Sequence, residues 1–386
     1  MKIQTGHPAR GDNFFSREQL TKNAWDLIES GHHILIAAPR RVGKTSLVYH
    51  LKDKPKEGFS LMYLITQSVD DENEFFRRIL NKVLKTGHIQ RSQKILTFLE
   101  KHKPSIKKIG PDGVEFGVSE NFDYKEILIR ILKSIHSEAE KLVIMIDEFP
   151  ETLENIINDA RESPAKHFLQ SNRELRQDVE ISENVQFVYT GSIGLENIVS
   201  RLNAVSTIND LARLTIPPLR KDEARQMIHL LLKNVDFNLS ESVEDHILKK
   251  IEWLIPFYIQ LVIQELKYIC RDENQSSITD ATVDKAFSGM LEQRQHFEHW
   301  HTRLRISFKG KEYHFVKEIL SIISEDEQIH SNEIFNLAVK YGLEDYYRDL
   351  LGSLVYDGYI NIHDAHKAYR YNSPVLRIWW RQNVAN

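Results

Sequence analysis

The sequence predicts an α/β core built on a parallel sheet, then an all-helical segment, then a small module of three helices and a hairpin. Three observations predict it. Short apolar runs alternate with amphipathic helical stretches over the first half of the chain, Pro217-Pro218 ends that alternation, and no further strand pattern returns until two short ones near the C-terminus. At 386 residues the chain is too long for one ordinary domain. Its 41% hydrophobic and 27% charged residues suffice to bury a large core.

The strands come first. Ile34–Ala38, Leu61–Thr66, Leu142–Ile146 and Val185–Thr190 are continuously or nearly apolar, as strands covered on both faces should be. Between them Asn73–Leu84, Tyr124–Glu138 and Pro164–Val179 carry helical periodicity. One insertion breaks the rhythm: Ile106–Val118 spaces its apolar residues on both sides of Pro111-Asp112-Gly113, which reads as a β-hairpin. After the proline pair, Lys221–Asn234, Val243–Ile251 and Phe257–Cys270 read as helices. From about Trp300 the order is helix Tyr313–Ser324, helix Ser331–Tyr341, helix Asp345–Asp357, then strands Tyr359–His363 and Ala368–Asn372 around a turn at Asp364–Lys367. That order is the winged-helix pattern. The expected divisions are 1–216, 217–295 and 296–386.

Composition excludes several classes. The net charge of −4 gives no global positive field to draw nucleic acid or an anionic membrane. The single cysteine, Cys270, forms no intramolecular disulfide and sits on an apolar helix as a small core residue. The first residues, Met1–Phe15, are polar, and no apolar run approaches the ~20 residues that span a bilayer. A cytoplasmic protein with no membrane contact is expected.

The sharpest chemical signal is Ala38-Pro39-Arg40-Arg41-Val42-Gly43-Lys44-Thr45-Ser46, directly after one apolar strand and directly before a helical run. Strand, loop and helix in that order make a phosphate-binding loop, whose backbone N–H groups and helix N-terminus surround a β-phosphate. Lys44 would bridge β- and γ-phosphates, and the Thr45 hydroxyl would ligate Mg²⁺. Alanine replaces the first glycine of the usual pattern, which a negative φ tolerates. Arg40 and Arg41 either add charge near the phosphates or pair with local carboxylates. The second signal is the strand ending in Asp147-Glu148, about 100 residues on. Asp147 would hold the metal opposite Thr45, and Glu148 would deprotonate the attacking water, or else cap the helix that follows. The third is Thr190-Gly-Ser192 at the end of the last apolar strand. In ATPases of this arrangement that strand lies between loop and acidic strand and carries a polar γ-phosphate sensor, a role for Thr190 or Ser192, unless the segment is an ordinary turn.

The chain resembles the archaeal-type P-loop ATPases of the STAND and AAA-like group. Matching pieces are Gly11–Glu18, Ala38–Ser46, Ile146–Glu151 and Thr190–Gly194. The resemblance implies a P-loop NTPase core, a helical lid and a C-terminal winged helix, with ATP and Mg²⁺ as cofactors. It also implies that Phe14 or Phe15 packs against the adenine, with Trp253–Gln260 of the lid leaning over base and ribose. Independently, Ser16 fits a helix cap with Gln19 three residues on. Arg173 and Arg176 share a helical face, where this class can present an arginine finger to a neighbouring subunit; the alternative is a solvated face. His296, His299 and His301 lack the ligand set of a metal site. The segment Trp300–Asn386 balances 11 Lys+Arg against 11 Asp+Glu, and its third helix offers Arg348 against Asp345, Asp349 and Asp357. Protein docking or self-association therefore outranks DNA there. The expected function is an ATP-binding and slowly ATP-hydrolysing switch; the alternative is a DNA-associated regulatory or defence ATPase.

Overall fold

The apolar runs of the first half form strands. Ile34–Ala37, Lys141–Asp147 and Val185–Gly191 are buried along nearly their whole length, because β-branched and leucine side chains leave neither face fit for water. Phe59–Ile65, at the sheet edge, is only partly buried. The computed structural model describes residues 1–86, 106–110, 113–116, 123–135, 140–160, 162–191, 194–274, 276–363 and 367–385. The chain divides into two compact units, one of residues 16–37 and 44–216, the other of 1–15, 38–43 and 217–386.

In the first unit, helix α1 (Glu18–Glu29) leads to strand β1 (Ile34–Ala37), and helix α2 (Lys44–Asp53) to strand β2 (Phe59–Ile65). Helix α3 (Glu72–Val83) starts where the Asp71 carboxylate accepts the Glu74 N–H. Strands β3 (Ile106–Gly110) and β4 (Gly113–Phe116) pair antiparallel, the hairpin expected, with Pro111 and Asp112 of its turn outside the described residues. Helix α4 (Tyr124–Lys133) is capped by Asp123; it ends at Lys133 with Ser134 as its C-cap, short of the expected Glu138, and 136–138 lie outside the described residues. Strand β5 (Lys141–Asp147), helices α5 (Phe149–Ala160) and α6 (Glu162–Gln177), a single turn α7 (Val179–Ser182), strand β6 (Val185–Gly191), helix α8 (Leu195–Arg201) and strand β7 (Ala212–Thr215) complete the unit.

The five strands form one parallel sheet in the order β2-β5-β6-β1-β7. Strand β6 thus lies between β1 and β5, where the sequence places the sensor strand. Strand β7 was not expected: it is four residues long, lies at the sheet edge and buries Leu214 alone, so it leaves no apolar run to read. Phe75, Phe149, Phe168 and Tyr189 close the core over the sheet, with ring centroids 4.7–5.8 Å apart. At the start of α1, Arg17 and not Ser16 occupies the N-cap, with no side-chain hydrogen bond to the first turn, and Ser16 is exposed, so the expected serine cap is not formed.

The second unit contains helices α9 (Lys221–Leu232), α10 (Glu241–Ile251), α11 (Pro256–Asp272) and α12 (Asp280–Glu292). Proline at the first position of α11 removes an N–H that would have no partner anyway. Helices α13 (Glu298–Ser307) and α14 (Gly310–Asp326) follow. Next come strand β8 (Ile329–His330), helix α15 (Ser331–Tyr341), helix α16 (Tyr347–Tyr356), strands β9 (Ile360–His363) and β10 (Ala368–Tyr371), and helix α17 (Pro374–Asn383). The strands form an antiparallel sheet β8-β10-β9. Helices α14 to α16 are followed by the β9–β10 hairpin, in the expected order, with residues 364–366 between its strands outside the described residues. Its core is aromatic: Trp300, Tyr359, Tyr371, Trp379 and Trp380 are buried. No helix among the described residues is long and apolar enough to cross a membrane.

Candidate functional site

Strand β1 delivers the chain into residues 38–43, and α2 receives it at Lys44. Two φ angles bend that loop: +67° at Arg41 and +104° at Gly43. The second suits glycine, whereas the first costs an arginine about 1 kcal/mol or more. Ala38 is absent from the left-handed region among the described residues, so its methyl group is accommodated as expected. Val42 is buried, and Lys44 is buried at the first position of α2. A buried ammonium group at a helix N-terminus faces the positive end of the helix dipole. The N–H groups at that end of the helix suit a bound anion.

Beside it in the sheet unit, Asp147 ends β5, with 3% of its surface exposed. Its Oδ2 accepts the Thr45 hydroxyl at 3.1 Å and the Tyr63 hydroxyl at 2.7 Å, while Oδ1 accepts the Glu148 N–H at 3.1 Å. Burial pushes this carboxyl's pKa up, the Tyr63 and Thr45 hydrogen bonds and the Lys44 charge pull it back, and Glu148 adds to the rise. Thr45 and Asp147, expected to face one another across a metal, are therefore in direct contact. Two hard oxygen donors converging at the head of α2 suit Mg²⁺, which takes few protein ligands and completes its shell with phosphate oxygens and water.

Glu148 follows with φ +60°, half-buried, and its carbonyl accepts the Thr152 N–H as the first bond of α5. It stands immediately before the first residue of α5. A left-handed φ at a glutamate is strain held at a motif position. Thr190 lies opposite Asp147 on one side and Ile36 on the other. Its hydroxyl is fully buried and has no hydrogen-bond partner among the described residues. An unmade bond of that kind costs about 1–3 kcal/mol. Ser192 lies outside the described residues.

The arginine pair is corrected. Arg176 is buried, and its guanidinium grips Asp210 through Nε (2.7 Å) and Nη2 (2.9 Å) and the Thr207 carbonyl at 2.5 Å. It also stacks 5.3 Å from the Tyr189 ring. The shared face of α6 therefore points inward at residue 176, where Asp210 and the Thr207 carbonyl hold the guanidinium. Arg173 is half-buried on the same helix.

In the other unit, Pro39 packs so closely on Gly358 that a Cβ there would sit 2.7 Å from its ring. The Arg41 guanidinium lies 4.3 Å over the Phe257 ring and donates to the Thr5 carbonyl at 3.1 Å. The N-terminal segment is tied to α11 as well, Gln4 N to Gln260 Oε1 at 2.7 Å and Thr5 Oγ1 to Gln264 Oε1 at 3.2 Å. Phe14 and Phe15 are half-buried in this unit. Arg41 thus pairs with a ring and a carbonyl instead of a carboxylate; Arg40 is half-buried.

Sequence reasoning missed Tyr63 and the threonine pair behind it, where Thr152 Oγ1 lies 2.8 Å from Thr66 Oγ1. The signal lay in strand parity: Ile65 pairs with Asp147 and Tyr63 with Met145, so Tyr63 and Asp147 share a face.

Together the sheet order, the loop and its acidic neighbour define an α/β P-loop NTPase fold with a helical C-terminal region. No protein-family model and no curated protein matches the sequence. Among solved structures the chain is similar to the Walker-type ATPase of Pyrococcus abyssi, at 15% identity and TM-score 0.65 over 99% of this chain and 100% of that one. It is also similar to the ORC2 protein of Aeropyrum pernix in its ADPNP–ADP complexes, at 14% identity and TM-score 0.53 over 95% and 92% of the two chains. These likenesses establish the fold.

Proposed function

We propose that this protein binds ATP with Mg²⁺ and hydrolyses it slowly, acting as a nucleotide switch of the STAND/AAA-like type. The observation that carries this reading is the contact between Thr45 at the head of α2 and Asp147 at the end of β5, beside the buried Lys44. Loop residues Ala38–Ser46 enclose the phosphates, Lys44 pairs with the β- and γ-oxygens, and Thr45 with Asp147 would hold the ion. Mg²⁺, when bound, offsets phosphate charge. Glu148 accepts the proton of the attacking water, and the buried Thr190 hydroxyl donates to a γ-oxygen or to that water. Ser192 stands beside it in sequence. Phe14 or Phe15 packs on the base. Arg173, not Arg176, is the arginine of α6 left to act in trans.

The three segments 1–216, 217–295 and 296–386 then respond to nucleotide, and Arg41 on Phe257 with Pro39 on Gly358 supports coupling of loop to helical segments. The balanced charge of the winged helix favours a protein partner or self-association over DNA. A cytoplasmic setting fits the single cysteine.

The test is a pair of variants. Lys44→Ala should weaken Mg–ATP binding strongly by calorimetry with the fold intact. Glu148→Gln should keep ATP affinity while steady-state turnover falls about 10²-fold or more. Equal ATP affinity in wild type and Lys44→Ala removes the nucleotide reading; wild-type turnover in Glu148→Gln leaves a binding switch in place of an enzyme.

A further inference from the structure

Asp147 carries more hydrogen bonds than a metal-holding carboxylate needs, and the shortest comes from a residue outside every nucleotide motif. Tyr63 is 7% exposed on β2, and its hydroxyl donates to Asp147 Oδ2 at 2.7 Å. Its ring packs at a tilt of 52° against Tyr49 of α2, with centroids 4.7 Å apart, so the phenol is held from behind. Oδ2 is the same atom that accepts the Thr45 hydroxyl. A threonine hydroxyl that gives a lone pair to a cation must still place its hydrogen on an acceptor, and here the acceptor is Oδ2. Whatever fixes Oδ2 therefore fixes the direction of the Thr45 lone pair. The carboxylate torsion of aspartate is a soft rotor that does not hold itself. A charge-assisted bond from a clamped phenol does hold it.

We propose that Tyr63 is a positioning residue that sets the magnesium requirement of nucleotide binding by locking Asp147 and, through it, Thr45. The inference rests on the nucleotide reading above. It concerns affinity for the ion in the ternary complex, not the chemical step. Supporting bonds of this kind behind metal ligands are worth about 10–100-fold in metal affinity.

The test uses the full chain and a fluorescent ADP or ATP analogue, titrated with Mg²⁺ after EDTA treatment, in wild type and Tyr63→Phe. Phenylalanine keeps the ring on Tyr49 and removes only the hydroxyl. The expected result is an Mg²⁺ midpoint raised about tenfold, with analogue affinity in EDTA unchanged. A merely structural tyrosine would instead lower affinity equally with and without Mg²⁺, and that outcome overturns the proposal. So does a midpoint within twofold of wild type while wild-type binding is Mg²⁺-dependent; the nucleotide reading then survives alone. Wild-type protein that binds the analogue with no Mg²⁺ dependence overturns the proposal and the magnesium part of that reading, whereas wild-type protein that binds none overturns both in full.

Discussion

Gly191 shows how little room a single residue has beside the candidate site. Its φ is outside the left-handed region, so any residue suits its backbone. What excludes a side chain is Pro150, whose Cδ would lie 2.3 Å and Cγ 2.7 Å from an added Cβ. A proline ring cannot turn aside as a long side chain can. Gly191→Ala should therefore cost about 1–3 kcal/mol, as overpacking does, read as a lower urea midpoint. Pairing it with Pro150→Ala should recover part of the loss, a coupling of about 0.5–3 kcal/mol. Purely additive losses would show that the close approach is not the cause. The same neighbourhood separates what could be read from the chain and what could not. Lys44, Thr45 and Asp147 were legible because their chemistry demands fixed spacing after a strand. Tyr63 was not, because a tyrosine inside an apolar run looks like any core residue until the pairing partner of its strand is known.

At the scale of elements, the sheet was legible wherever a strand carried an apolar run and silent where it did not. Strands β1, β2, β5 and β6 announced themselves by composition, whereas β7 exposes Arg213 and Thr215 at an edge and leaves no pattern. Helix α6 misled for a related reason: a spacing of three shows that Arg173 and Arg176 share a face, but not which way the face points. Its direction is set by Asp210, 34 residues away in sequence. Arg176 joins α6, β6 and the 207–210 segment through Asp210, Thr207 and Tyr189, and its carbonyl lies 2.9 Å from His33 Nε2. Removing one partner of a buried, hydrogen-bonded ion pair costs about 3–5 kcal/mol. Arg176→Ala should lose that much in urea unfolding, with turnover per folded molecule retained at any protein concentration. Turnover that falls while stability holds would restore the finger and refute the structural role.

At the scale of the whole molecule, each unit carries a histidine whose pKa is lowered by burial, His33 buried and His299 half-buried, and both should make the protein sensitive to mild acid. In the sheet unit His33 bonds the Arg176 carbonyl through Nε2 and accepts the Phe187 N–H at Nδ1 (3.1 Å), so a second proton would break a bond. Burial is the largest cause lowering its pKa. In the other unit both ring nitrogens of His299 are shielded with no hydrogen-bond partner among the described residues, and burial, with Arg41, Arg40 and Arg303 adding to it, brings its pKa down to about 3. A histidine whose folded pKa lies below its unfolded value of about 6.5 binds its proton more readily when unfolded. Stability is therefore complete above about pH 6.5 and falls as the pH drops below it, by up to about 1.4 kcal/mol per pH unit for each histidine. For His299 the loss runs from about 6.5 down to about 3. Glu265, raised by burial, has the opposite sign, so the wild-type slope alone is ambiguous. The comparison of variants is not. Urea midpoints measured from pH 7.5 to 5 should fall less steeply in His299→Gln than in wild type, and the two curves should converge or cross as the pH drops. Parallel curves over that window would show that His299 takes up its proton in the folded protein, and that the shielded imidazole has found a partner.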